Sequence, residues 1–300
     1  MNEITWGIPI IVDLFFAGLG AGSFCLGAIT SRRKGEGWSI CSKAAAFLAP
    51  FALFMSLSML ILDLGYKLRF WMTLSVFNVH SPMSVGAWLL TAFILVSVVF
   101  ALYWVPASIR ARIPWIGSFS IWNHQGYRDI LGVIGIVLAF GVSVYTGLLL
   151  SVTIVPLWRS LSLPFLFFLS ALATGFSGGG ILTIILGGKK NIEIMDEPFQ
   201  FFRQSYRVIL PFYFAVALIF SMSPAILPES GHPAMDLIRG WSGLIWWIGV
   251  IGIGMIVPFG LIMNERPLQV RHAWVLFGSL LIGGLLLRLV LVFAGQGALQ

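Results

Sequence analysis

The stretch Trp6–Thr30, WGIPIIVDLFFAGLGAGSFCLGAIT, decides the fold. Its one charged side chain is Asp13, and it exceeds the roughly 20 apolar residues that a helix needs to cross a hydrocarbon core of about 30 Å. A spanning segment must satisfy its own backbone polar groups, which in lipid leaves a helix or a closed barrel, and an unbroken apolar run of this length is a helix. No basic region precedes it and it outruns the apolar core of a signal peptide, so it is expected to persist as helix 1. Gly18 and Gly22, four residues apart, mark a face where another helix backbone can come close.

Seven further stretches repeat the pattern, at roughly 40–64, 84–105, 127–151, 163–186, 206–228, 241–263 and 272–294, with helix 1 counted over 6–30. Composition agrees: 59% of residues are hydrophobic and 10% charged, against about 45–50% apolar in soluble domains. The expectation is an all-α integral membrane protein of eight transmembrane helices in the cell (inner or cytoplasmic) membrane, with lipid as its main surrounding.

The formal charge of +7 follows from topology and not from nucleic acid, because membrane chains gather Lys and Arg in cytoplasmic loops. The connections after helices 1, 3, 5 and 7, with their flanks, hold Arg32, Arg33, Lys34, Lys43, Arg110, Arg112, Arg128, Lys189, Lys190, Arg203, Arg207, Arg266 and Arg271. The opposite face holds Lys67, Arg69, Arg159 and Arg239. Both termini are therefore expected outside the cytoplasm. Gly18 and Gly22 of helix 1 overlay Gly175 and Gly179 of helix 5, so one transmembrane domain, 1–300, is read as pseudo-repeat halves 1–160 and 161–300, each a four-helix bundle. Chance similarity between Gly-rich helices is the plainer alternative.

Ionisable groups within membrane segments are costly and mark sites or pathways. Asp13 lies two turns in, at about 10 Å depth by the helical rise. Asp63 closes helix 2, Tyr145 sits in the outer third of helix 4, and Arg288 sits at a similar level of helix 8. The connection Gly65–Ser84 adds Lys67, Arg69, Asn78, His80 and Ser81 at the same face. An outer-leaflet polar pocket follows. Each member also has an ordinary reading: a structural ion pair for Asp13, interfacial water for Asp63, an aromatic belt for Tyr145, snorkelling for Arg288, and a solvated loop for His80.

The four histidines, His80, His124, His232 and His272, fall in loops or at helix ends, unlike the facing pairs that hold a transmembrane haem. Two cysteines, Cys25 and Cys41, are too few for a four-cysteine cluster. No haem, iron–sulfur cluster or metal is expected on this chain, so an inorganic redox centre needs a partner. On the cytoplasmic side Asn123, His124, Tyr127, Arg128, Asp129, Tyr206, Glu265 and Arg271 are expected at helix ends, as the mouth of a proton path or as interfacial anchors.

Several stretches in order resemble the polysulfide reductase membrane subunit family, also called NrfD/PsrC. They are Leu14–Gly22, Leu62–Gly65 with Arg69–Trp71, Ser81–Trp88, Tyr145–Ser151, and Leu287–Val290 with Ala294–Gln296. The resemblance implies a quinone-reactive subunit, using menaquinone or ubiquinone, that exchanges electrons with an extracytoplasmic four-cluster-type iron–sulfur protein docked on a molybdenum-containing or other catalytic subunit. It is not expected to be catalytic alone. The resemblance also implies that Asp13, Asp63 and Tyr145 are quinone contacts and proton-handling groups, although some members carry His where this chain has Asp13.

Two-electron oxidation of a quinol releases two protons, which a carboxylate or phenol within reach would lead away. Asp13 and Tyr145 are the first candidates, Asp63 with His80 the relay to outer water, and Arg288 a partner that keeps an acid ionised or steadies negative charge on the quinone. A secondary transporter is the rival from another class, with Pro211, Pro224, Pro258 and Gly178–Gly180 as possible breaks beside a midplane site. A purely structural anchor is the third reading.

Overall fold

Each of the eight apolar stretches forms a helix, the element in which a chain satisfies most of its own backbone polar groups, as lipid requires. The computed structural model describes residues 6–63, 75, 78, 80–105, 112, 125–153, 155–188, 195–226, 240–264 and 269–296. The helices are α1 (Ile8–Thr30), α2 (Glu36–Asp63), α3 (Pro82–Leu102), α4 (Gln125–Ser151), α5 (Ser162–Gly187), α6 (Asp196–Ile226), α7 (Gly240–Met263) and α8 (Val270–Gly295). All eight are long and apolar enough to cross a membrane. Lys67, Arg69, Arg110, Asn123, His124, Lys189, Lys190, His232, Arg239, Glu265 and Arg266 lie outside the described residues.

α1 is the most enclosed span, with 78% of its apolar window buried inside protein against 33% for α6. It packs on α2, α4, α5 and α8, while α5 packs on α1, α2, α4, α6 and α8. The reason is small residues. A methyl group at Gly22 would sit 2.0 Å from the Ala171 carbonyl oxygen, and one at Gly175 would sit 2.3 Å from the Gly22 backbone. One turn earlier a methyl at Gly18 would sit 3.4 Å from the Ala171 side chain and 2.7 Å from the Arg288 guanidinium, a four-residue step shared by both helices, so α1 and α5 run parallel and come nearly backbone to backbone at Gly22 and Gly175. Gly254 of α7 and Gly283 of α8 make a second such crossing.

Two features depart from the hydropathy reading. α6 begins at Asp196, ten residues ahead of the apolar run, because its first turns are two-faced. Phe199, Phe202 and Tyr206 are buried, whereas Glu197, Gln200 and Gln204 face outward. α7 is wound as a π-helix over Ile245–Ile256, a rare form that usually occurs as single-turn bulges. Trp246 Nε1 donates to Ser221 Oγ at 3.0 Å and fastens this stretch to α6. The suspected breaks at Gly178–Gly180, Pro211 and Pro224 all lie within continuous helix.

At the end of the molecule that carries Trp6, α1 and α8 are tied together. The Gln296 side chain accepts from the Trp6 backbone N–H at 2.9 Å and donates to the Trp6 carbonyl at 3.0 Å. The Trp6 ring lies 5.1 Å from that of Trp158, whose Nε1 donates to the Leu291 carbonyl at 2.7 Å.

Candidate functional site

Asp13 stands on the second turn of α1, 9% exposed, in a wall of apolar side chains. A buried carboxylate needs a donor. Ser56 of α2 supplies one, its Oγ donating to Asp13 Oδ1 at 2.5 Å. Among the described residues Oδ2 has no protein partner, and the carboxylate borders a cavity of about 320 Å³.

That cavity is framed by α1, α2, α3 and α4. Ile10, Leu14, Ala17, Leu60, Leu90, Val142 and Leu149 form its apolar walls, and Asp13, Ser56, Tyr145 and Thr146 its polar positions. Asp63, at the exposed last turn of α2, and Trp6 stand at its rim.

Tyr145 reaches in from α4 and is held on two sides. Its hydroxyl donates to the Pro82 carbonyl at 2.7 Å, in the first turn of α3. Its ring lies across Gly86, where an added methyl would fall 2.0 Å from Tyr145 Cζ. Glycine at 86 is thus the seat of the phenol. The start of α3 is fixed by Ser81, whose Oγ accepts from the Ser84 N–H, and by Ser84, whose Oγ accepts from the Asn78 N–H at 3.1 Å.

His80 is exposed, does not line the cavity, and gives its backbone N–H to Asn78 Oδ1 at 3.0 Å. Arg288 lies at the level of Asp13 but on the opposite side of α1, fully buried between α1, α5 and α8. Its guanidinium donates to Ser170 Oγ at 2.5 Å, the Gly284 carbonyl at 2.9 Å and the Leu14 carbonyl at 3.4 Å. It faces the Phe167 ring at 5.2 Å. Among the described residues no carboxylate lies within ion-pair distance of it, and full burial leaves no room for snorkelling. Arg288 touches the backbone beside Asp13 and not the acid itself.

Of the residues grouped at the opposite end, Arg128 and Asp129 pair at 3.7 Å, and Tyr127 and Arg271 are exposed. Tyr206 instead points inward and shares a 2.8 Å hydrogen bond with Ser177.

Ser56, Gly86, the Pro82 carbonyl and Ser170 belong to these arrangements and were not anticipated from sequence. Together the four helices offer an apolar slot of about 320 Å³, at the small end of the usual 300–1,000 Å³ range for ligand sites.

Comparison with known proteins agrees with this architecture. The profile of the polysulphide reductase NrfD family matches residues 1–300. A polysulfide reductase chain from Wolinella succinogenes is 30% identical, over 98% of the present sequence and 95% of its own length. Protein NrfD of Escherichia coli is 24% identical over 98% and 96%. A selenate reductase subunit from Mesobacillus selenatarsenatis is 27% identical over 87% of the present sequence and 67% of its own.

Proposed function

This chain belongs to the polysulphide reductase NrfD family of multi-pass cell-membrane proteins, and on that premise we propose that it is the quinone-reactive subunit of a respiratory reductase complex. It exchanges electrons between the membrane quinone pool and an extracytoplasmic iron–sulfur subunit of the four-cluster type, which serves a molybdenum-containing or other catalytic subunit. The observation that carries this reading is the convergence of Asp13, Ser56 and Tyr145 on one apolar cavity.

The site suits a menaquinone or ubiquinone head in its quinol form. An apolar slot accepts the ring, while the carboxylate and the phenol oxygen are acceptors that a quinol hydroxyl would meet. When bound as quinol, the group supplies two electrons and two protons. Ser56 orients the Asp13 carboxylate, leaving Oδ2 to take a proton. Tyr145 spends its own hydrogen on the Pro82 carbonyl, so its oxygen faces a ligand as an acceptor. Asp63 at the rim receives protons bound for water, with the exposed His80 beyond it. Arg288 acts at one remove, holding the α1 backbone at Leu14, the residue next to Asp13.

In this reading the cavity opens towards the extracytoplasmic leaflet and both termini lie on that side, by the distribution of basic residues. Helices α1–α4 form one bundle and α5–α8 a second, as pseudo-repeat halves 1–160 and 161–300, and only the first carries the quinone.

Quinone-analogue binding to the purified complex tests the proposal. Wild type should bind, and Asp13→Asn and Tyr145→Phe should bind at least tenfold more weakly, by the loss of roughly 1.4 kcal/mol or more. An absence of binding in wild type would overturn it.

A further inference from the structure

Across the molecule from this cavity, a groove of about 480 Å³ opens between the turn after α1 and the first turns of α6. We propose that it binds the phosphate headgroup of an anionic phospholipid.

The groove is a built site. Arg33 is held against two aromatic rings that stand edge to face, its guanidinium carbon 4.5 Å from the centre of the Trp38 ring and 4.8 Å from that of Phe201. Cation–π contact engages no oxygen acceptor, so the guanidinium keeps N–H donors of the kind that pair with phosphate. Among the described residues neither Arg33 nor Lys34 has a carboxylate within ion-pair distance. The acid present, Glu197, accepts from Trp38 Nε1 at 2.7 Å and so helps hold the ring on which Arg33 lies. Two cations against this carboxylate leave one net positive charge, which matches a phosphodiester.

What continues beyond the groove selects a lipid over a free anion. Gln200 and Gln204 are outward-facing amides one turn apart at the mouth. The same face of α6, read in steps of four, continues into Val208 and Phe212, which are 60% and 62% exposed. Charged, then amide, then apolar is the order of a lipid's headgroup, glycerol region and acyl chain. The groove also lies at the end of the molecule rich in Lys and Arg, where anionic headgroups collect against basic pockets between membrane helices.

The test is lipid binding to the purified, delipidated protein in detergent, comparing phosphatidylglycerol, phosphatidylcholine and inorganic phosphate. Phosphatidylglycerol should bind, with its dissociation constant raised about tenfold in Arg33→Gln and several-fold in Lys34→Gln. Arg271→Gln, a basic change at the same end but outside the groove, should bind like wild type. Lys34 is exposed, so that variant keeps the test open if Arg33→Gln fails to fold. Equal binding of phosphatidylcholine, or wild-type affinity in both groove variants, would overturn the proposal. Binding of inorganic phosphate without phosphatidylglycerol would assign the groove to a soluble anion and overturn the lipid reading. About 25 Å of α1 separates the groove from Asp13, so quinone-analogue binding should be untouched by these variants.

Discussion

Asp13 and Ser56 are a pair whose chemistry depends on one hydrogen bond. Removing the donor strands a buried charge, and hydrogen bonds to charged groups are worth about 1.5–3 kcal/mol. Ser56→Ala should therefore lower quinol-dependent turnover of the assembled complex about tenfold, and Asp13→Asn about a hundredfold, with the complex still assembled on native gels. Turnover at the wild-type rate in both would remove Asp13 from the proton path. Gly86→Ala drives a methyl into the Tyr145 ring and should reduce turnover at least as far as Tyr145→Phe does; kinetics of the two variants side by side would check it. Asp13, Tyr145 and Arg288 were legible in the sequence because a polar group in an apolar helix has few reasons to be there. Ser56 was not. Serines in these helices commonly turn back on their own carbonyls, as Ser23 and Ser42 do, so residue type alone does not show which one faces an acid. Gly86 was equally hidden, since what requires it is a ring from another helix. The sequence also showed that Arg288 is inside the membrane, but not that α1 stands between most of its contacts and the cavity.

At the scale of elements, the helices were readable to within a few residues wherever lipid sets their length. The start of α6 was not, because its two-faced first turns answer to water on one side and protein on the other, which an apolar window cannot register. The α1–α5 crossing makes a sharp prediction. Gly22→Ala and Gly175→Ala each place a methyl inside van der Waals distance of backbone, not of a side chain that can turn away, and overpacking of this kind costs typically about 1–3 kcal/mol. Both should lower the melting temperature of the purified protein. Gly278→Ala, where an added methyl meets nothing within 4 Å, should leave it unchanged or slightly raised; a drop equal to that of Gly22→Ala would show that the crossing is not what those glycines serve.

For the whole molecule, the proposed orientation rests on the uneven spread of Lys and Arg, and the side proposed for docking of an iron–sulfur partner rests on that orientation. A phosphatase fused after Gln300 should be active in cells and a fluorescent protein at the same point dark. The reverse pattern would invert the molecule and place the Asp13 cavity on the cytoplasmic side. The tie between Trp6 and Gln296 also bears on how the protein is made. Its two halves are 290 residues apart, so as the polypeptide leaves the ribosome the first helix enters the membrane long before the residue that fastens it exists. Until the last helix arrives, that first helix must be held by its neighbours or by the insertion machinery, and closing the tie becomes one of the final acts of assembly.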